Sequence, residues 1–356
     1  MISPSPHLHL HKSVPITTLF ALCLTLTGCE KLQPGYYLTP ENLPTAEIQP
    51  QPADSETVIE ITPTLPATIQ SLDVTAPLPT TQASPTEPAP LSTETSFACA
   101  ETEGRIALDA INSAYTFGDV GFRVYLPPCY EETDVRYPYL IMLHGMQGEV
   151  MNDDQWDRLG LDEAATAGYL DGSLPPMIII MPDGTDAQHD YDPGPYPDII
   201  VDELIPYVET HYCTWDTSAT RAIGGLSRGG YWAYSVAFLN PTLFDRVGGH
   251  SGFFYAGDFP PTNPYDMIPT APDIGRMTMY LDHGASDTLV DANVRSFAER
   301  LNNRGLDPEY IVFPGGGHNE DYWASHTADY LAFYAAEWSK DLSQFPSCDS
   351  PGSQDS

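Results

Sequence analysis

Basic residues are scarce in this 356-residue chain, where 14 Lys and Arg stand against 49 Asp and Glu and give a formal net charge of −35. A surface with that charge repels phosphate backbones and anionic lipid headgroups. Nucleic-acid binding is therefore a poor hypothesis, and so is electrostatic docking on an anionic membrane. The charge suits a protein that stays soluble outside the cell, but it does not indicate a fold.

The chain also lacks a long apolar run near its N-terminus. The stretch from Val14 to Leu26 is shorter than the roughly 20 residues that a membrane-spanning helix needs. It fits the core of a secretory signal peptide at residues 1–28. The run ends in Leu26-Thr27-Gly28-Cys29, which resembles a bacterial lipobox. That resemblance implies that Cys29 is lipidated and anchors the chain in the membrane; an ordinary cleaved signal peptide is the alternative.

The six cysteines include no Cys-x-x-Cys pair, so a zinc ribbon is not expected. An exported chain is permitted disulfides, and four cysteines beyond the lipobox allow three pairings. These four are Cys99, Cys129, Cys213 and Cys348. Because Cys99 and Cys348 bracket the candidate domain, the first expectation is a 99–348 bond with a 129–213 bond; free buried thiols are the alternative.

Positive charge is absent from the segment that follows the lipobox, since no Lys or Arg occurs between Lys31 and Arg105. Residues 29–96 are rich in Pro, Thr, Ser and Glu. Such a stretch cannot bury enough apolar surface to offset the entropy lost on ordering. We therefore expect a disordered tether at 29–96, a folded domain at 97–348 and a disordered tail at 349–356.

From about residue 97 onward, short apolar runs alternate with segments of helical spacing. The predicted strands are 122–126, 139–143, 177–181, 221–226, 277–281 and 309–313. The predicted helices are 199–208, 230–239, 293–303 and 320–338. Continuous apolar runs are typical of parallel strands covered on both faces. The pattern predicts an α/β fold, with a mostly parallel central sheet and helices on both faces.

The segment Gly225-Leu226-Ser227-Arg228-Gly229 is a Gly-x-Ser-x-Gly pentapeptide. Between a strand and a helix, this pattern predicts a sharp turn that strains the serine backbone and presents its Oγ. Ser227 is therefore the candidate nucleophile. A glycine-rich turn without chemistry is the alternative.

A serine hydroxyl needs a base, and the base needs an orienting acid. With this kind of turn, the chain order is serine, then acid, then histidine. Asp287 and His318 each follow a predicted strand, so both belong to loops at the strand ends where Ser227 lies. We expect His318 to be the base and Asp287 the acid. The weaker rivals are His250, His283 and His326 for the base, and Asp291 and Asp258 for the acid.

The negative oxygen that develops during acyl transfer needs hydrogen-bond donors. One expected donor is the backbone N–H of Arg228, directly after the nucleophile. The loop after strand 139–143 supplies the other, with Met146 as first choice and Gln147 as second. His144, Gly145 and Gln147, in the same loop, are expected to border the substrate; a simple turn is the alternative for His144 and Gly145.

The loop at 183–197 is unusually acidic and aromatic. It is a candidate gate, and Tyr191 and Tyr196 are candidate sugar contacts. The carboxylates of Asp186, Asp190 and Asp192 suit Ca²⁺, but a solvated loop is the favoured interpretation. Neither a metal nor a cofactor is expected.

These motifs together resemble those of the esterase D family over roughly residues 105–340. The matching segments are 125–128, 143–145, 181–184, 202–206, 224–230, 283–287 and 317–318. The resemblance implies an α/β-hydrolase fold, a Ser227–Asp287–His318 triad and carboxylic ester chemistry. The family includes feruloyl and acetyl-xylan-type esterases, enterochelin-type esterases, S-formylglutathione hydrolases and mycolyltransferases.

The resemblance does not fix the acyl group or the alcohol. Small-molecule or polysaccharide-linked esters, feruloyl or acetyl, are the expected substrates. An acyltransferase with the same triad is one alternative, and a non-catalytic surface binding protein is another. The export signal and tether argue against the cytosolic formylglutathione branch and predict a location on the extracytoplasmic side. The sequence leaves the oligomeric state open.

Overall fold

The computed structural model describes residues 100–116, 118–146, 153–184, 195–257 and 261–348. The expectations for the signal peptide, the lipidation of Cys29, the tether at 29–96 and the tail at 349–356 lie outside the described residues. Within those residues, no helix combines the length and the apolar character needed to cross a membrane.

The described strands form one eight-stranded sheet in the order β1-β2-β4-β3-β5-β6-β7-β8. Their bounds are β1 Arg105–Asn112, β2 Asp119–Leu126, β3 Tyr139–Leu143, β4 Ile178–Pro182, β5 Arg221–Leu226, β6 Arg246–His250, β7 Thr278–Gly284 and β8 Glu309–Phe313. The β1–β2 and β2–β4 pairs are antiparallel, and all the others are parallel. The predicted mostly parallel sheet is confirmed.

Helices cover both faces of this sheet. Their bounds are α1 Gln155–Arg158, α2 Leu161–Asp171, α3 Tyr196–Asp198, α4 Ile205–His211, α5 Arg228–Leu239, α6 Pro264–Met267, α7 Asp291–Asn303, α8 Glu320–Ser325 and α9 Thr327–Tyr334. A π-helical segment, Ile199–Leu204, joins α3 to α4. One face carries α4, α5 and α7, and the other carries α1, α2, α8 and α9.

Strand β3 shows why its sequence is apolar without interruption. Tyr139, Ile141 and Leu143 belong to the hydrophobic core on one face. Leu140 and Met142 belong to the core on the other face. Alternate residues of a strand point to opposite sides of the sheet, so burial on both sides removes the polar half of the pattern.

The predicted single helix at 320–338 is two helices in the structure. His326 ends α8 with φ −118° and ψ 8°, and α9 starts at Thr327. The Asn319 side chain begins α8 by accepting a hydrogen bond from the Tyr322 N–H at 3.0 Å, as an N-cap residue does. The break separates the segment beside His318 from the helix that packs on the sheet.

The expected disulfide pairing is wrong, because the structure bonds Cys213 to Cys348. The segment 134–137 brings them together. Cys348 N–H donates to the Asp134 carbonyl at 3.2 Å, and Tyr137 N–H donates to the Cys213 carbonyl at 2.7 Å. Cys129 is also disulfide-bonded, whereas Cys99 lies outside the described residues. Spacing along the chain does not reveal this backbone pairing.

Candidate active site

Ser227 occupies a strained turn between the end of β5 and the start of α5. Its backbone has φ 51° and ψ −115°, a conformation that costs energy for a residue with a side chain. A Cβ at Gly229 would overlap the Leu143 carbonyl, and one at Gly225 would overlap the backbone of Gly229. The glycines of the pentapeptide therefore permit the close approach that the turn requires.

The end of β6 holds this turn from behind. The Ser227 N–H donates to the His250 carbonyl at 2.8 Å, and the Ser227 carbonyl accepts from the Phe253 N–H at 3.1 Å. Both backbone groups of the serine are thus fixed by one neighbouring segment. The strained conformation persists because the surrounding structure determines it.

The structure brings Ser227, His318 and Asp287 into one hydrogen-bonded chain. The distance from Ser227 Oγ to His318 Nε2 is 2.9 Å, and that from His318 Nδ1 to Asp287 Oδ2 is also 2.9 Å. An ionised carboxylate can only accept, so His318 Nδ1 carries a proton and the neutral ring accepts the serine O–H through Nε2. Ser227, Asp287 and His318 follow β5, β7 and β8, so all three lie at the carboxyl ends of parallel strands.

The environment of Asp287 favours its ionised form. Burial acts to raise the pKa of this carboxyl, which is 1 % exposed. The hydrogen bond from His318, the positive charge that this ring carries when it is protonated, and the nearby Ser251 hydroxyl all act to lower the pKa. The net result is a pKa below the ordinary 3.8. The acid therefore stays negative and able to orient the histidine.

A cavity of about 310 Å³ opens beside the Ser227 hydroxyl. It is lined by Gly145, Met146, Gln155, Leu226, Ser227, His318, Asn319, Glu320 and Trp323. The Trp323 ring meets the His318 ring edge to face, with centroids 5.0 Å apart. This cavity is the space in which an acyl group would contact the serine.

The loop predicted to stabilise the oxyanion borders the same cavity. Gly145 and Met146 line it, Arg228 begins α5 directly after the serine, and Gln147 lies outside the described residues. His144 is 5 % exposed. Its Nε2 accepts from the Gly184 N–H at 2.7 Å, and its Nδ1 donates to the Gly145 carbonyl at 2.8 Å. The imidazole of His144 therefore holds the loop through backbone groups.

The rival histidines have other partners. His250 is fully buried and pairs with Asp282 at 2.7 Å. His283 contacts the Tyr310 hydroxyl at 2.8 Å, and His326 contacts Asp329 at 2.9 Å. Of the described histidines, His318 is the one that is hydrogen-bonded to Ser227.

Of the two rival acids, one has another partner and the other lies outside the described residues. Asp291 begins α7 and pairs with Arg295 at 2.7 Å. Asp258 lies outside the described residues, as do Tyr191 and the proposed calcium ligands Asp186, Asp190 and Asp192. Tyr196 is buried against the Trp232 ring, with centroids 5.7 Å apart. Among the residues that are described, no cluster of three or more His, Cys, Asp or Glu side chains could hold a metal.

A second, fully buried network lies behind the serine turn, and sequence reasoning missed it. The His250 ring contacts Asp282 through Nδ1 at 2.7 Å and the Tyr334 hydroxyl through Nε2 at 2.9 Å. Asp282 also accepts hydrogen bonds from the Tyr322 and Tyr330 hydroxyls. A Cβ at Gly224 or Gly248 would overlap the Tyr334 hydroxyl. Those strand glycines were the available signal that a side chain passes close to the sheet.

Fold and site together define an α/β-hydrolase with a Ser–His–Asp constellation. The model of the Putative esterase family matches residues 113–334, and the chain belongs to that family. A ferulic acid esterase structure aligns with TM-score 0.59 and 22 % identity, over 66 % of this chain and 99 % of that one. That likeness concerns the fold.

Two curated relatives are similar in sequence over part of their length. An endo-1,4-β-xylanase/feruloyl esterase of Xylanibacter ruminicola is 27 % identical over 213 residues, which are 56 % of this chain and 27 % of that protein. An esterase of Mycobacterium tuberculosis is 32 % identical over 244 residues, 55 % of this chain and 52 % of that protein. The chain thus spans about half or less of the length of these relatives.

Proposed function

We propose that this chain is a carboxylic ester hydrolase that works through an acyl-enzyme on Ser227. The observation that carries the proposal is the hydrogen-bonded chain from Ser227 Oγ to His318 Nε2 and from His318 Nδ1 to Asp287, at 2.9 Å for each step. Membership of the Putative esterase family supports the same chemistry.

In the proposed first step, Ser227 Oγ attacks the ester carbonyl carbon while His318 Nε2 takes the hydroxyl proton. The carbonyl oxygen becomes negative and accepts hydrogen bonds from the backbone N–H groups of Met146 and Arg228. Asp287 stabilises the imidazolium. Collapse of the intermediate breaks the bond to the alcohol oxygen, which leaves with the proton from His318.

Water completes the cycle by the same route. His318 accepts a proton from water as its oxygen bonds to the acyl carbon, and then returns a proton to Ser227 as the free acid leaves. His318 accepts and returns the proton in each step of this reaction, and the proposal includes no metal or cofactor.

The proposed substrates are feruloyl or acetyl esters linked to polysaccharide. The relative from Xylanibacter ruminicola is named a feruloyl esterase, and the cavity beside Ser227 is bordered by the flat ring of Trp323. Comparison of kcat/KM for methyl ferulate, acetylated xylan and methyl butyrate tests this assignment. Preference for methyl butyrate over both other substrates would contradict it.

The proposed location is the extracytoplasmic face of a membrane, through lipidation of Cys29. The support is the sequence Leu26-Thr27-Gly28-Cys29 after an apolar run. Expression with labelled palmitate should label the wild-type chain and leave Cys29→Ser unlabelled. Equal labelling of both chains would contradict the lipidation of Cys29 and would leave the esterase proposal unaffected.

The substitution Ser227→Ala tests the reaction itself. Turnover of p-nitrophenyl acetate should fall by about 10⁶-fold, because the nucleophile is gone. Ser235→Ala is the matched control, since this buried serine of α5 bonds the Thr262 carbonyl at 2.7 Å and is remote from the reaction. If Ser227→Ala turns over as fast as Ser235→Ala, with both folded, the proposal is wrong.

A further inference from the structure

The short helix α1 lies between two loops that border the cavity. One is the loop 144–146, which contains the proposed oxyanion donor Met146. The other carries His318 and continues into α8. The first two residues of α1, Gln155 and Trp156, are 1 % and 0 % exposed. A polar side chain this deeply buried is expected to be held by specific hydrogen bonds.

On one side, α1 fixes the loop 144–146 at two points. The Trp156 indole N–H donates to the Leu143 carbonyl at 3.0 Å. The Gly145 N–H donates to Gln155 Oε1 at 2.8 Å. These bonds flank His144, so the backbone that precedes Met146 is held on both sides of the histidine.

On the other side, the same glutamine contacts the beginning of α8. Gln155 Nε2 donates to Glu320 Oε1 at 3.2 Å, and Arg158 Nη1 reaches that carboxylate at 3.2 Å. Glu320 is two residues beyond His318 and lines the cavity with it. One side chain therefore joins the oxyanion loop to the histidine loop.

We propose that Gln155 is a positioning residue that sets the distance between the oxyanion donor at Met146 and the base His318. This role rests on the proposed esterase function. Because Gln155 takes the Gly145 N–H, that amide is not an oxyanion donor, which leaves the role to Met146 and Arg228. Gln155 touches neither the substrate carbonyl nor the serine in this account.

The amide group suits this position because it accepts at one end and donates at the other. A glutamate at this position could still accept from Gly145, but it would face the Glu320 carboxylate without a proton to share. A buried carboxylate at this position would be repelled by the half-buried Glu320 carboxylate in contact with it, so the two loops would move apart. Gln155→Glu therefore alters the spacing with almost no change in side-chain volume.

The test compares Gln155→Glu, Glu320→Gln and the double variant on p-nitrophenyl acetate. In Gln155→Glu, kcat should fall about 100-fold with KM little changed, because misplacing a donor by about an ångström weakens transition-state contacts. Glu320→Gln should lose about fivefold, since a neutral acceptor replaces a charged one. The double variant should return to that level, because it exchanges the two groups, so that the amide on α8 donates to the carboxylate on α1.

The matched control is Gln344→Glu, which also places a glutamate beside a carboxylate. Gln344 Nε2 contacts Asp341 at 3.3 Å on the exposed surface, and neither residue lines the cavity. It should keep wild-type kcat. The melting temperature of each variant is recorded, so that loss of fold is separated from loss of rate in the folded enzyme.

A folded Gln155→Glu with wild-type kcat would overturn the proposal. A folded double variant as slow as Gln155→Glu would also overturn it. If Gln155→Glu does not fold, Gln155→Asn serves instead, because it keeps the amide and shortens its reach. A folded Gln155→Asn should also lose kcat, and wild-type kcat there would overturn the proposal. Failure of the esterase function is distinct, since wild type would then show no turnover that depends on Ser227.

Discussion

Two His–Asp pairs near the serine turn have similar hydrogen-bond geometry, but they differ in burial and in access to the cavity. His318 contacts Asp287 at 2.9 Å and the Ser227 hydroxyl at 2.9 Å. His250 contacts Asp282 at 2.7 Å and the Tyr334 hydroxyl at 2.9 Å. We call these the outer pair and the inner pair.

Access separates the two pairs. The His318 side chain is 18 % exposed and lines the cavity beside Ser227. The His250 side chain is wholly buried and stacks on the Tyr330 ring, with centroids 3.6 Å apart. Burial also raises the pKa of the Tyr334 hydroxyl well above its usual range, so this phenol stays protonated. A His–Asp–hydroxyl chain therefore marks a reaction centre only where a substrate can reach the hydroxyl.

Four predictions compare the two pairs. The substitution Asp287→Asn, in the outer pair, should have the largest effect among them. We expect kcat on p-nitrophenyl acetate to fall about 10⁴-fold, because an amide cannot hold His318 in the tautomer that accepts the serine proton. Asp291→Asn is the control, since that aspartate pairs with Arg295 at the surface. A small loss in Asp287→Asn, equal to that of the control, would remove the acid role from Asp287.

The same substitution in the inner pair, Asp282→Asn, should act on stability. Asp282 accepts from His250, Tyr322 and Tyr330 in a fully buried site. Loss of these charged hydrogen bonds should lower the free energy of unfolding by about 3 kcal/mol in urea. The rate per folded molecule should stay within about tenfold of wild type, since the Ser227 N–H bonds the His250 carbonyl and not its ring. Unchanged stability with a 10⁴-fold loss of rate would reverse the distinction.

The substitution Tyr334→Phe removes the hydroxyl that bonds His250 of the inner pair, and it should have a smaller effect on stability. One hydrogen bond to His250 is lost, which should cost about 1–2 kcal/mol of stability. Tyr234→Phe is the matched control, because its buried hydroxyl donates to the Tyr280 carbonyl at 3.0 Å and does not touch a histidine. Denaturant unfolding of both variants measures the costs. A loss of turnover in Tyr334→Phe alone would give the inner pair a part in the chemistry.

The smallest expected effect is a pH dependence of stability that belongs to the outer pair. The folded-state pKa of Asp287 lies below its ordinary value of 3.8, so the ionised carboxylate stabilises the fold above that pH. This stabilisation is lost as the pH falls through the folded-state value. Melting curves of wild type and Asp287→Asn should therefore converge as the pH is lowered below about 4. A gap that widens at low pH would mean that the pKa is raised.

The outer pair could be predicted from the sequence, and the inner pair could not. Ser227, Asp287 and His318 each stand in a recognisable turn directly after an apolar strand, and chain order supplies their roles. The strand that ends in His250 contains Gly248 and Gly249, which weaken its strand signal, and nothing in its sequence indicates the partners of the His250 ring. Those glycines leave space for ring side chains, a contact that only the folded chain makes.

Two other features also depend on contacts between distant segments. Gln155 belongs to no motif, and its partners Gly145 and Glu320 come from two cavity-lining segments that are distant in sequence. The bond from Cys213 to Cys348 follows from the pairing of both segments with residues 134–137. Periodicity and local motifs report the strands and the turns, but they do not report which side chains meet between them.

The central claim, that Ser227 is the nucleophile activated by the outer pair, is tested most directly by fluorophosphonate labelling followed by tryptic mass spectrometry. Cleavage after Arg221 and Arg228 releases the peptide 222–228, which contains Ser227 as its one hydroxyl residue. The account predicts one adduct, on this peptide, that is strongly reduced in His318→Ala and retained in His326→Ala. An adduct on another serine, or no adduct on folded protein, would contradict it.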